Sequence, residues 1–229
     1  MIYVQQVNKN SSSLYIAHRG HGFYENTAES FENSKNYYGI ECDIRITKDE
    51  KFIINHDPTV KFDDESVYEI ENSTYAELTA KTLGGGYKLC SFENYLQICK
   101  RLDKQAIIEI KPPLTDNQIG LMLSIIDEYY TQEKSIVISF NKGNLLKLKQ
   151  VSKMELMYLF DVGKESNINF CIENKINPSM YFALIRKDDV QKIHDNGLKI
   201  GAWTVNNIFA NIRMKKLKLD FITSDKYYV

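Results

Sequence analysis

The sequence predicts an α/β protein built as a (β/α)8 TIM barrel with a small insertion after the second strand. Three observations predict it. Short apolar runs rich in Ile, Val and aromatics alternate with amphipathic stretches, the pattern of buried parallel strands joined by helices. Eight such runs start near residues 14, 40, 106, 136, 156, 181, 200 and 221, and all but one of the intervals fit a single βα unit. The rival architecture, an open doubly wound sheet, calls for a glycine-rich phosphate turn after its first strand, and no G-x-G-x-x-G occurs.

The expected barrel strands are Leu14–Ala17, Ile40–Ile44, Ala106–Ile110, Ile136–Ser139, Leu156–Leu159, Tyr181–Leu184, Ile200–Trp203 and Phe221–Thr223. The long interval after residue 40 must hold extra structure, and Phe52–Asn55 reads as an additional strand there. Between the strands, Phe92, Tyr95, Leu96 and Cys99 fall at helical spacing behind a Ser91 cap. Ile119, Met122, Leu123 and Ile126 repeat that spacing behind Thr115 and Gln118, a capping-box pair in which hydroxyl and amide reciprocally satisfy orphan N–H groups. Asn141 can cap a helix through Leu145 and Leu148, and Gly197 suits a left-handed helix end. Asn206 or Asn207 can cap the last helix, which holds Phe209 and Ile212.

At 229 residues the chain is long enough for one barrel, which typically takes about 250, so it reads as a single domain over 1–229 with an insertion at about 58–90. A hydrophobic share of 43% supports a substantial core, and a charged share of 26% argues against wholesale disorder. The net charge of −1 gives no support for a nucleic-acid-coating protein or one held to an anionic membrane by bulk charge, yet leaves room for a local phosphate site. No stretch approaches the roughly 18–20 apolar residues of a membrane span, and no leader pattern opens the chain, so stable membrane insertion is not expected. Cys42, Cys90, Cys99 and Cys171 show no C-x-x-C pairing and no zinc spacing; they read as reduced thiols of a soluble, cytoplasmic protein. The oligomeric state stays open at this stage.

In a parallel barrel, reactive groups belong at the carboxyl ends of the strands. His18-Arg19-Gly20 follows the first strand, and Glu41 and Asp43 lie two apart on the second, so both point to one face. His56-Asp57 follows the extra strand, Glu109 and Lys111 share a face of the third barrel strand, Trp203 ends the seventh, and the eighth leads into Asp225. Taken alone, the pair Glu41 and Asp43 reads equally well as a salt-bridge partner of Arg45 or Lys111. Joined by Glu109 in one barrel mouth, the three carboxylates would repel strongly, and a hard divalent cation, Mg²⁺ or Ca²⁺, is the simplest compensation. His18 and His56 form the acid/base candidates, because imidazole titrates near neutrality. His21 and His194 read as ordinary polar side chains. Arg19 can hold a phosphoryl oxygen by a bidentate fork and Lys111 as a point charge, or both can simply balance the acids. Cation site, two basic residues and two histidines together suit a phosphate ester better than a carbonyl.

These segments resemble the glycerophosphodiester phosphodiesterase family. The resemblance rests on His18-Arg19-Gly20, Glu25-Asn26-Thr27, Phe31, Gly39-Ile40-Glu41-Cys42-Asp43, Thr47-Lys48-Asp49 and His56-Asp57, and then on Glu109-Ile110-Lys111, Trp203-Thr204-Val205-Asn206 and Thr223-Ser224-Asp225. It spans about residues 16–225, and the ordered set is far more specific than H-R-G alone. It implies a (β/α)8 barrel in which Glu41, Asp43 and Glu109 bind one divalent metal, His18 and His56 act as acid and base, and Arg19 and Lys111 take the phosphate. Trp203 would line the glycerol or headgroup pocket or simply pack the barrel mouth. The implied reaction is hydrolysis of a small-molecule glycerophosphodiester to glycerol 3-phosphate and an alcohol. The chain departs from the family after His56-Asp57, with Pro58-Thr59-Val60-Lys61-Phe62 where many members carry an Arg-Thr-Thr-like stretch, and with Leu89-Cys90-Ser91-Phe92 before the next helix. The region from Lys61 to Tyr87 looks acidic, Gly-rich at Gly84-Gly85-Gly86 and poor in apolar surface. Two alternatives stand beside this reading: a phospholipase D-type enzyme of the same barrel superfamily acting on lysophospholipids, and a non-catalytic phosphate-ligand binding barrel.

Overall fold

The structure, a computed structural model, describes residues 13–228. Its strands are β1 (Leu14–Ala17), β2 (Gly39–Ile46), β3 (Phe52–Ile54), β4 (Thr59–Lys61), β5 (Val67–Glu69), β6 (Gln105–Ile110), β7 (Ser135–Ser139), β8 (Glu155–Phe160), β9 (Asn177–Tyr181), β10 (Gly201–Trp203) and β11 (Phe221–Ser224). Its helices are α1 (Ala28–Glu32), α2 (Tyr75–Thr79), α3 (Phe92–Leu102), α4 (Asp116–Tyr129), α5 (Lys142–Val151), α6 (Lys164–Asn174), α7 (Lys187–Asp195) and α8 (Ile208–Lys216). β1, β2 and β6 to β11 pair in parallel, and β1 pairs with both β2 and β11, so the sheet closes into an eight-stranded barrel. β3 is a ninth strand laid antiparallel on the end of β2, with Ile44 opposite Ile54.

Strand alternation divides the apolar residues in two. Ile16, Ile107, Ile136, Ile138, Met157, Leu159 and Phe221 fill the barrel interior. Their neighbours in sequence, among them Ala17, Ile108 and Val137, face outward under the helices, as do Ile40 and Cys42 on either side of Glu41. At Gly39 a Cβ would stand 3.0 Å from the Gln105 carbonyl oxygen and 3.1 Å from Ile107, so any larger residue would press on β6 there. The helices start where their caps are. The Ser91 hydroxyl accepts from the Asn94 N–H, Thr115 and Gln118 form the reciprocal box, and Asn141 accepts from Gly143 and Asn144. Asn207, not Asn206, caps α8. That helix buries Ala210, Asn211 and Met214, while Phe209 and Ile212 face solvent.

Two sequence expectations need correction. The sixth barrel strand is Asn177–Tyr181, not Tyr181–Leu184, which forms a 3-10 turn after Tyr181. Pro178 and the polar Asn177 and Ser179 disguise the strand, since proline usually argues against a central strand. Ser179 nonetheless lines the barrel mouth, while Met180 packs under the helices. The region after β3 is also less polar than its composition suggests. A β4–β5 hairpin and α2 enclose a small core of their own: Ile53, Val60, Phe62, Ile70, Leu78 and Leu89 are buried, with Tyr68, Tyr75 and Leu83 against them.

The four cysteines are buried and unpaired. No helix among the described residues is long and apolar enough to cross a membrane.

Candidate active site

The turn after β1 is built by residues that hold one another. Arg19 and Gly20 adopt left-handed φ of 52° and 78°, and Asn26 one of 58°. A Cβ at Gly20 would stand 2.5 Å from Ser30 Oγ, so this position is restricted to glycine by space as well as by φ. Thr27 caps α1, Ser30 Oγ donates to the Arg19 carbonyl at 3.1 Å, and the Asn26 N–H donates to that same carbonyl at 2.9 Å. The turn is therefore rigid, and it aims two groups at β2. The Arg19 N–H donates to Glu41 Oε2 at 2.7 Å, and Asn26 Nδ2 donates to Asp43 Oδ2 at 2.8 Å.

Glu41 and Asp43 point inward from β2 and are each 1% exposed. The β2–β6 register sets Asp43 opposite Glu109. Candidate ligand oxygens of Glu41, Asp43 and Glu109 lie within 4.8 Å of one another, the one group among the described residues found able to hold a metal. Burial pushes the Glu41 carboxyl well above the ordinary range, and the charges of Asp43 and Glu109 add to this. Glu109 is raised too, by burial first and then by Asp43, while Lys111 pulls it back. Lys111 Nζ donates to Glu109 Oε1 at 2.7 Å and stands 3.4 Å from Asp43 Oδ1. Even so, Glu41 Oε1 and Asp43 Oδ1 are buried without any hydrogen-bond donor. Two orphan carboxylate oxygens in one repulsive cluster are what a hard cation with oxygen ligands would satisfy, so the residues present fit such an ion.

Both expected histidines reach the same mouth. His18 follows β1, and its Nδ1 lies 2.7 Å from Asp225 Oδ1. His56 follows β3, and its Nδ1 lies 2.7 Å from Asp57 Oδ1. In each pair the imidazole hydrogen bond is the main cause that holds the aspartate below its usual range. With Nδ1 engaged, Nε2 is the nitrogen each ring keeps for a ligand. Arg19 donates from Nη1 to Glu25 at 2.7 Å, and its Nε stands 3.3 Å from Asp43. The cavity between these groups measures about 180 Å³. His18, Arg19, Glu41, His56, Glu109 and Lys111 form its polar side, and Ile138, Phe140, Leu159 and Trp203 its apolar side. Trp203 is fixed edge-on to Phe140 at 5.3 Å between centroids and donates from Nε1 to the Ser179 carbonyl at 3.0 Å. A second groove of about 260 Å³ shares Arg19 and His56 and continues past Asp57, Thr59 and Lys61.

Several residues outside the expected catalytic, phosphate and metal set fix this geometry. Arg45 was a candidate ion-pair partner for the acids, yet its hydrogen bonds go to the His56 carbonyl, at 3.0 Å from Nε and 2.7 Å from Nη2. Asn26 grips Asp43 at two points, and Asn206 is tied to Asp225. The usable signal was parity: Arg45 lies on the same face of β2 as Glu41 and Asp43. His194 does pair structurally, with Asp220 at 2.9 Å, whereas His21 lies at the edge of the site, with Nδ1 3.2 Å from both the Asp225 carbonyl and the Tyr37 hydroxyl.

Phosphate-ester hydrolysis is the chemistry such a mouth is equipped for, and a barrel phosphohydrolase is the class that fold and site define. Residues 18–228 match the Glycerophosphoryl diester phosphodiesterase family. A glycerophosphodiester phosphodiesterase of Caldanaerobacter subterraneus subsp. tengcongensis is 26% identical over 93% of this chain and 94% of its own. Among solved structures, a phosphodiesterase from Oleispira antarctica in complex with the product sn-glycerol-3-phosphate superposes with a TM-score of 0.85 at 19% identity, covering 93% of this chain and 92% of that one. A glycerophosphodiester phosphodiesterase from Parabacteroides distasonis gives 0.81 at 24% identity, with 94% and 93% covered. The chain belongs to the glycerophosphoryl diester phosphodiesterase family.

Proposed function

We propose that the chain hydrolyses small glycerophosphodiesters to glycerol 3-phosphate and an alcohol, with His18 and His56 as the acid/base pair. The observation that carries this reading is the meeting of two carboxylate-held imidazoles with Arg19, Lys111 and the acidic triad around one cavity. The relatives named for this activity, and the Oleispira structure with its product, support it. One imidazolium gives a proton to the departing alcohol oxygen as its P–O bond breaks, and the other imidazole takes a proton from the water whose oxygen forms the new P–O bond. Arg19 and Lys111 hold the phosphoryl oxygens by charge-assisted hydrogen bonds. Glu41, Asp43 and Glu109 would hold the divalent cation, Mg²⁺ or Ca²⁺, which when bound supplies Lewis-acid polarisation of the phosphoryl group. The apolar wall of Trp203, Phe140 and Leu159 receives the glycerol carbons. The whole chain works as one barrel domain, and the insertion at about 58–90 lines the groove that takes the alcohol. Four buried thiols without a disulfide favour action in the cytoplasm.

The test is release of glycerol 3-phosphate from glycerophosphodiesters of choline, ethanolamine, glycerol and inositol, with Mg²⁺, with Ca²⁺ and in chelator. His18→Ala and His56→Ala are each expected to lower turnover by about 10²–10⁴-fold. Unchanged turnover in both, or a cyclic phosphate as product, would overturn the assignment.

A further inference from the structure

His18 and Asp225 are far apart in sequence, and the barrel seam brings them together. In the β1–β11 register Ala17 lies beside Ser224, and the His18 N–H donates to the Ser224 carbonyl at 3.2 Å, so the next residue on each strand is its neighbour's partner. Asp225 spends Oδ1 on His18 Nδ1. Asn206, from the turn after β10, spends both ends of its amide on Asp225. Its Nδ2 donates to Asp225 Oδ2, and its Oδ1 accepts from the Asp225 N–H at 2.9 Å. The Ser224 hydroxyl donates to the Val205 carbonyl at 2.6 Å and lies 3.1 Å from Asn206 Oδ1. The carboxylate is therefore held on both oxygens and at its backbone, in one orientation.

The other imidazole has no such frame. Asp57 is adjacent to His56 in sequence, its side chain is 71% exposed, and its hydrogen bond to His56 Nδ1 stands against a more open ring. The Asp225 side chain is 44% exposed and that of His18 only 20%.

We propose that Asn206 and Asp225 are positioning residues that lock neutral His18 in the tautomer with the proton on Nδ1 and the lone pair of Nε2 facing the cavity. This rests on the reading of His18 as an acid/base residue. A carboxylate can only accept, so Nδ1 must be the donor in this contact. The Asn206 amide adds direction, because its Nδ2 donates to Oδ2 and leaves Oδ1 for the imidazole. An amide at position 225 would behave oppositely. Its oxygen would be claimed by Asn206 Nδ2, its NH₂ would face His18 Nδ1, and the imidazole proton would have to move to Nε2. Asp225→Asn therefore inverts the tautomer rather than merely weakening a contact, and Asn206→Ala frees the carboxylate without removing its charge.

The experiment is ¹⁵N imidazole NMR of the full chain, with and without Mg²⁺, assigned through His18→Ala, alongside steady-state kinetics. Wild-type His18 is expected in the Nδ1–H form. Asp225→Asn is expected to shift it to Nε2–H and to lower kcat by about 100-fold with KM within about twofold, as for loss of an interaction that matters only during proton transfer. Asn206→Ala is expected to mix the two tautomers and lower kcat by less. A wild-type ring in the Nε2–H form overturns the proposal without any variant needing to fold, and so does an Asp225→Asn protein that keeps both tautomer and kcat. If His18→Ala stays fully active while the tautomer of the wild type is as expected, the acid/base reading of His18 fails and the positioning stands.

Discussion

Replacing Asn26 by glycine separates the two jobs this residue does. Its φ of 58° is a conformation that glycine adopts freely, so the backbone turn survives while the side chain is lost. What disappears is the 2.8 Å donor on Asp43 Oδ2 and the 3.3 Å acceptor for the Asp43 N–H. Asp43 is 1% exposed, so bulk water does not replace the donor, and a hydrogen bond to a buried charge is worth about 1.5–3 kcal/mol. For a chain of this length each kcal/mol moves Tm by about 2–4 °C, giving a fall of about 3–12 °C in the metal-free protein. Loss of an outer partner of a metal-binding carboxylate lowers metal affinity by about 10–100-fold. Calorimetric titration with Mg²⁺ and with Ca²⁺, together with thermal unfolding in chelator, reads both effects. Asn26→Ala should lose about 1 kcal/mol more, because alanine carries the cost of the left-handed φ. An Asn26→Gly protein with wild-type Tm and metal affinity would show that the two-point grip on Asp43 does nothing, and would refute the reasoning that links the Glu25-Asn26-Thr27 segment to the acidic triad.

Two further expectations come from the same geometry. Arg45→Lys replaces a two-pronged hold on the His56 carbonyl with a single flexible donor, and kcat should fall by about 10–100-fold through misplacement of His56; steady-state kinetics showing an unchanged kcat would remove Arg45 from the site. In the metal-free protein, Glu41 and Glu109 should cost stability as pH rises above the ordinary carboxylate range toward neutrality, whereas the stability that Asp57 and Asp225, held below theirs, add with rising pH is gained below that window. Glu41 and Glu109 have folded-state pKa values above their unfolded ones, so the stability they contribute is complete below the unfolded pKa and is lost as pH climbs through the raised folded values. Divalent cation should abolish that decline, and Tm measured against pH in chelator and in Mg²⁺ checks the sign.

How far this molecule can be read from its residues depends on whether the information is local. The strand with Glu41 and Asp43 is legible because alternation is a property of one strand, and it predicts a shared face whatever the partner. The Thr115 and Gln118 box and the Ser91 cap are local for the same reason. Asn177–Tyr181 escapes because its strand character comes from neighbours on both sides, β8 and β10, and not from Pro178 or Ser179 themselves. The core of the insertion escapes because Val60 and Phe62 alternate over too short a run to stand out, and Ile70, Leu78 and Leu89 are scattered far apart along the chain. In the site, the expected residues His18, Arg19, Glu41, Asp43, His56, Glu109, Lys111 and Trp203 do share one region, since His18, Arg19, His56, Glu109, Lys111 and Trp203 sit at or just past strand ends and Glu41 and Asp43 point inward from β2. The residues that orient them do not announce themselves, because Asn206 meets Asp225, and Arg45 meets the His56 backbone, only through register and loop path.

The seam between β1 and β11 also has a temporal side. During synthesis His18 leaves the ribosome well before Asp225, which arrives with β11. Until that strand is inserted, neither the imidazole's partner nor the β1 edge it completes exists. A chain stopped before β11 lacks Phe221 and Ile222 of the core as well as the partner of His18. Under the proposed acid/base role of His18, turnover reports that the ring has been closed, not merely that its pieces have folded.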